Sequence, residues 1–189
     1  TFLPPTSGTA LVAGYDILKQ GHLVRENIGY LPETPPLYPE LTVREYLNFV
    51  ARIKGISKNL KAAVDEVISS CGLKDVQDKL CGQLSKGFRQ RVGLAHALVH
   101  KPRVIILDEP TSGLDPAQII EIRQLIKSLG GKHTVILSTH ILPEVVETCS
   151  RVIIIAHGKM KVEGELKEFT REKTLEKRFL EVVSSEEGI

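Results

Sequence analysis

Two adjacent carboxylates, Asp108 and Glu109, follow the apolar run Val104-Ile105-Ile106-Leu107 and precede Pro110. A short continuous apolar run of this kind reads as a strand covered on both faces, as in a parallel sheet. Ligands of open α/β sheets collect at the carboxyl ends of such strands. One acid there can hold a divalent cation through its water shell, and the next can polarise an attacking water. Taken alone, the same residues equally describe a strand that ends in a polar turn. A second group is Leu84-Ser85-Lys86-Gly87-Phe88-Arg89-Gln90-Arg91. A serine hydroxyl, a glycine and the free N–H groups of a helix start make an anion site, although a plain serine cap would look the same. A third is Ser138-Thr139-His140, where a histidine after a strand can donate to an anion or a water, or simply be a satisfied core residue.

These residues need elements to hold them. Pro4, Pro5 and Gly8 mark a turn, and Thr9 to Val12 reads as a short strand closed by Gly14. Asp16 to Val24 reads as a short helix, and Ile28 to Leu31 as a strand stopped by Pro32. A proline-rich loop follows, with Pro32, Pro35, Pro36 and Pro39. Thr42 and Glu45 then form a capping-box pattern ahead of Leu47, Val50, Ala51 and Ile53. Further helices are expected from about Leu60 to Ser70 and from Ser85 to His100, so residues 40–100 form a helical block without a strand. Strands return at Val104 to Leu107, Thr134 to Leu137, Val152 to Ile155 and Met160 to Glu163. Helices are expected at Pro116 to Leu129 and Ile141 to Cys149, and a last strand at Phe179 to Val183. Strands alternating with helices give an α/β domain with a parallel sheet, interrupted by an inserted helical block.

Composition sets the outer limits. A chain of 189 residues suits one domain with a short tail. A net charge of +2 is too small to argue for nucleic acid or an anionic membrane surface. The longest apolar run, Val152 to Ala156, is far short of the ~18 residues of a membrane helix. The three cysteines, Cys71, Cys81 and Cys149, are widely spaced and read as reduced thiols of a cytosolic protein.

The order of the motifs narrows the reading. Asp108 lies 23 residues after Ser85, Thr111-Ser112-Gly113-Leu114-Asp115-Pro116 comes next, and His140 lies 31 residues after Glu109. Over about Thr6 to Gly164 this order resembles the nucleotide-binding domain of ABC transporters. Leu84 to Gln90 matches the family's signature loop, Val104 to Pro110 its Walker B strand, and Ser112 to Asp115 its D-loop. His140 matches the switch histidine, and Ile28-Gly29-Tyr30-Leu31-Pro32-Glu33 the Q-loop. The details resemble the exporter branch whose membrane subunits are separate proteins. The resemblance implies a P-loop NTPase-like parallel sheet with helices on both faces and an inserted α-helical subdomain at about residues 40–100. It divides the chain into a partial ATP-binding domain at 1–165 and a charged tail at 166–189.

The resemblance also implies roles. Two domains would pair head to tail around ATP and Mg²⁺, with Ser85, Gly87 and Lys86 meeting the γ-phosphate across the dimer. Asp108 and Glu33 would serve the metal, Glu109 would be the general base, and His140 would hold the γ-phosphate and the attacking water. Asp115 would couple the two sites. Residues 32–40, with Glu33, Pro35, Leu37 and Tyr38, would face a membrane-spanning permease. The expected location is the cytoplasm, at the inner face of the membrane through that permease, with no direct membrane insertion and no nucleic acid.

Three departures from the family pattern matter. No Gly-x-x-x-x-Gly-Lys-[Ser/Thr] occurs, and the chain opens where the helix after that loop should end. The first strands and the phosphate loop are therefore expected to be absent, the Val104 to Leu107 strand to lose a neighbour, and the chain alone to be poorly stable and inactive. Glu33 stands where glutamine is usual, and Lys86 and Phe88 where glycine and glutamine are usual. Two other readings remain beside a transport ATPase: a soluble relative acting on nucleic acid or ribosomes, and a truncated regulatory module without catalysis.

Overall fold

Helix starts and strand registers are set by a few local contacts in the computed structural model, which describes residues 3–171 and 174–184. Two compact units result, Thr1–Ser138 and Thr139–Ile189. In the first, β1 (Leu11–Val12) and β2 (Tyr15–Asp16) form a small antiparallel ribbon, followed by α1 (Gly21–Glu26). The helix expected from Asp16 begins later. Asp16 Oδ1 accepts the backbone N–H groups of Leu18 at 2.8 Å and Lys19 at 3.0 Å, a local turn that competes with helix at this point.

The block between β3 (Ile28–Leu31) and β4 (Val104–Asp108) is helical, as its pattern requires. It comprises α2 (Val43–Ile53), α3 (Leu60–Ser70), two single 3-10 turns at Lys74–Val76 and Cys81–Gln83, and α4 (Lys86–Leu98). The Thr42 capping box closes α2 at both donors: Glu45 N–H reaches Thr42 Oγ1 at 3.2 Å, and Thr42 N–H reaches Glu45 Oε2 at 2.9 Å. Those bonds hold the Glu45 carboxyl below its usual range. Tyr46, Leu47, Val64, Ile68, Leu73 and Leu94 are fully or almost fully buried in the resulting core.

The sheet is parallel, in the order β3-β4-β5, with β5 at Thr134–Ser138 and α5 (Pro116–Leu129) between β4 and β5 in sequence. Ile28 pairs with Val104 and Leu31 with Leu107, while Asp108 pairs with Ser138. The expectation that the Val104 to Leu107 strand loses a neighbour is not met. It is the central strand, bonded on both sides, and β3 and β5 are the two edge strands of this sheet among the described residues. The expectation of burial on both faces also needs correction. Ile105 and Leu107 are fully buried, but Val104 and Ile106 are half-buried and Ile136 is 51% exposed. One face packs on the helical core, and the other carries an open cleft of about 810 Å³ lined by Leu11, Val104, Thr134 and Ile136 among others.

β3 and α4 approach unusually closely. A Cβ at Gly29 would overlap the Ala97 carbonyl oxygen, and one at Gly93 would lie 2.6 Å from Leu31 Cδ1 and 2.8 Å from Pro35 Cβ. The absence of side chains at these two points lets the helix lie directly on the strand.

His96 and His100, at the end of the same helix, are neutral. Burial, with the Lys54 charge behind it, pushes both imidazoles down to about 4. His100 donates from Nε2 to the Ile28 carbonyl at 3.0 Å, and its Nδ1 is buried without a partner. In the unfolded chain both rings take protons near pH 6.5. Their stabilisation is thus complete above about pH 6.5 and is lost as the pH falls towards 4. Each proton contributes about 1.4 kcal/mol per pH unit in that window, with a smaller share from the more exposed His100. Urea midpoints should fall steadily from pH 6.5 to 4.5, and less steeply in His96→Gln; an unchanged midpoint would contradict the assignment.

The second unit contains α6 (Leu142–Thr148), the antiparallel pair β6 (Arg151–Ala156) and β7 (Lys159–Glu165), then α7 (Leu166–Phe169) and α8 (Leu175–Ser184). Its small core gathers Val145, Val152, Ile154, Leu166 and Leu175. The strand expected at Phe179 to Val183 is instead part of α8, because Leu175, Phe179 and Val182 share one helical face and pack on that core. The end of the charged tail expected at 166–189 lies outside the described residues.

Candidate nucleotide site

The carboxyl end of β4 presents Asp108 and Glu109, both half-buried. Glu109 adopts φ +46°, a left-handed conformation uncommon for a residue with a side chain. Its N–H donates to the Ser138 carbonyl at 2.9 Å, and its own carbonyl accepts the Ser112 N–H at 3.1 Å. Asp108 Oδ2 lies 3.5 Å from the Tyr30 hydroxyl. Partial desolvation and then the Asp108 charge push the Tyr30 phenol above its ordinary range.

Ser85 is the N-cap of α4, with Phe88 N–H 3.4 Å from its hydroxyl oxygen. Gly87 follows, with the Gln118 side chain lying over it: a Cβ would come within 2.7 Å of the Gln118 amide carbon and would displace that side chain. Lys86 is exposed, yet its ammonium lies against Gly113, which sits at φ +66° and leaves open the space the amine fills. Asp115 caps α5 by accepting the Gln118 N–H at 3.0 Å. The signature segment therefore packs against the Ser112–Asp115 turn within one chain.

Glu33 joins the same group. Its Oε1 accepts the Ser112 hydroxyl at 3.0 Å, and its backbone carbonyl accepts the Gln90 side-chain amide at 2.7 Å. The structure thus brings Glu33, Ser85, Lys86, Gly87 and Asp115 into a connected network around the turn that follows Asp108 and Glu109. Pro35 and Leu37 are half-buried in the loop beyond Glu33, and Tyr38 is exposed there. Tyr38 packs edge-on to Phe49, ring centres 5.5 Å apart. His140 opens the second unit and is exposed.

Among the described residues no group of three or more His, Cys, Asp or Glu side chains can enclose a metal ion. Asp108 and Glu33 are carboxylates of the kind that serve Mg²⁺, which takes one or two of them. The exposed N-terminus of the 13-residue α4 suits an anion. The donors present therefore fit the terminal-phosphate side of a nucleotide and its metal.

Gln90, Tyr30 and Gln118 were missed by sequence reasoning. Gln90 had one signal: a polar residue in line with Gly93 and Ala97, on the helix face turned towards the strand.

The sequence profile described as ABC transporter matches residues 1–112. The chain is 37% identical to an uncharacterized ABC transporter ATP-binding protein, YxlF, of Bacillus subtilis (strain 168), over 98% of this chain and 62% of that protein. It is 43% identical to the bacitracin transport ATP-binding protein BcrA of Bacillus licheniformis, over 84% of this chain and 52% of that one. The chain thus spans roughly half to three-fifths of these two relatives' length. Among solved structures it is similar to an ATP-binding subunit of an ABC transporter, with a TM-score of 0.82 and 28% identity over 96% of this chain and 78% of that one. It is also similar to CbiO1 of Clostridium perfringens, part of the CbiONQ complex, with a TM-score of 0.81 and 30% identity over 94% of this chain and 74% of that one.

Proposed function

Because the chain belongs to the ABC transporter ATP-binding family, we propose that it forms part of a transport ATPase subunit that couples ATP binding and hydrolysis to export through a separate permease. The observation that carries this reading is the pair Asp108 and Glu109 at the end of the central strand, with Glu109 held at φ +46°. In this reading Glu109 accepts the proton of the attacking water and His140 orients that water and the γ-phosphate. Asp108 and Glu33 would be the carboxylates that hold Mg²⁺. Mg²⁺ supplies charge neutralisation on the phosphates when bound.

Ser85 and Gly87, with the N–H groups at the start of α4, meet the γ-phosphate of a nucleotide held by a second copy, and Lys86 adds charge from its seat on Gly113. Asp115, next to that interface, couples the two sites. Residues 32–40, including Pro35, Leu37 and Tyr38, face the permease. The chain's place is then cytoplasmic, at the inner membrane face; among the described residues no helix is long and apolar enough to cross a membrane. BcrA is named for bacitracin transport, which supports a transport role.

These 189 residues hold no Gly-rich phosphate loop, and such a loop supplies the backbone donors and lysine that bind the β- and γ-phosphates. Residues 1–189 alone should accordingly be inactive. The test is a MgATP turnover assay of the protein from its complete reading frame beside residues 1–189. Turnover in the first and none in the second is expected. No turnover in the first would remove the ATPase reading, and turnover in the second would remove the inactivity.

A further inference from the structure

Residues 33–39 carry three prolines, so the segment has few amides with which to hold itself in place. It is held from outside instead. Gln90 is 1% exposed and donates its side-chain amide to the Glu33 carbonyl at 2.7 Å. One turn further along α4, Gly93 leaves the gap into which Pro35 fits. From α2, Tyr46 is also 1% exposed and donates its hydroxyl to the Pro36 carbonyl at 3.1 Å. The Tyr46 oxygen lies 2.7 Å from His96 Nδ1. The phenol has a single proton, which it gives to Pro36, so His96 carries its proton on Nδ1 and donates to Tyr46. Burial keeps that imidazole neutral. Tyr38 then closes the arrangement edge-on against Tyr46, ring centres 6.2 Å apart.

We propose that Gln90 and the Tyr46–His96 pair are positioning residues that clamp the 33–39 loop onto α2 and α4, so that the loop and the phosphate-facing start of α4 travel as one body. Glu33 sits at one end of this loop with its carboxylate on Ser112, and Tyr38 sits exposed at the other. A displacement of the start of α4 by nucleotide is then delivered to the loop without slack, because buried hydrogen bonds and close-packed glycine contacts leave no soft joint between them. The transmission half of the inference rests on the proposed function. The clamp itself does not.

The experiment is hydrogen exchange on the nucleotide-free protein from its complete reading frame, followed by ATPase assays with its permease. Tyr46→Phe keeps the ring and removes only the hydroxyl; Gln90→Glu keeps the shape and removes the donor. In both variants the amides of Glu33, Thr34, Leu37 and Tyr38 should exchange at least tenfold faster, with α3 unchanged. Exchange at the wild-type rate in both would overturn the clamp. In Tyr46→Phe the basal ATPase should stay within about twofold while stimulation by the permease falls at least fivefold. Full stimulation despite a loosened loop would overturn the transmission. An inactive wild type would remove the ATPase reading, and the exchange rates would still decide the clamp.

Discussion

Glu109→Gln is expected to slow ATP hydrolysis by about 10²- to 10⁴-fold, the usual contribution of a positioned general base, with MgATP binding nearly unchanged. Glutamine has the same size and can accept the same hydrogen bonds, but it cannot take a proton from water at neutral pH. The backbone around it explains why the side chain is placed so firmly. A non-glycine residue at φ +46° costs on the order of 1–3 kcal/mol. It persists because the Ser138 carbonyl and the Ser112 N–H hold the peptide on both sides. Both contacts are made by the Glu109 backbone, which the substitution keeps. Equilibrium binding and single-turnover rates on the protein from its complete reading frame separate the two effects. A rate within threefold of wild type would show that Glu109 is not the base.

The second large effect is one of packing. Gly29→Ala places a methyl on the Ala97 carbonyl oxygen, 2.9 Å from the Ala97 carbonyl carbon and 3.0 Å from Pro102 Cγ. Two of those three atoms are backbone in the last turn of α4, so no rotamer change relieves the overlap. Strand β3 must lift from the helix, and the pairing of Ile28 to Leu31 with the central strand is strained with it. Overpacking of this kind costs about 1–3 kcal/mol, and a backbone clash belongs at the upper end. For a chain of this size that is a fall in Tm of roughly 6–12 °C. Thermal unfolding checks it, and a Tm within 2 °C of wild type would mean that β3 and α4 are not in the contact described.

Local signals carried far in this protein. The Thr42 and Glu45 pair fixed the start of α2, and Asp115-Pro116 fixed the start of α5, because both are caps made within one turn. The acids of the candidate site were legible for a related reason: they follow an apolar run that has to be a strand. What was not legible depends on distant partners. The half-exposure of β5 follows from the open face it shares with Val104, which no residue of Thr134 to Ser138 encodes. The α8 segment has apolar residues that suit either period, and packing on Val145 and Leu166 decides between them. Gln90 with Glu33 and Tyr46 with His96 are pairs 57 and 50 residues apart, invisible until the fold brings them together.

These pairs change how the motifs are understood. The resemblance gives Glu33, Lys86 and Asp115 separate roles at the metal, the phosphate and the interface. Here they also touch one another within a single chain, through Ser112, Gly87 and Gln118. A substitution at any of them is therefore expected to disturb its neighbours, so their effects should not add.

In the proposed function, Ser85 and its helix complete a nucleotide site on a second copy of the protein. The direct measurement is light scattering of the Glu109→Gln protein, from its complete reading frame, with and without MgATP. Slow hydrolysis should trap a dimer when MgATP is present, and adding Ser85→Arg should leave the protein monomeric while it still binds MgATP. A dimer that survives Ser85→Arg, or no MgATP-dependent dimer in Glu109→Gln, would contradict the account.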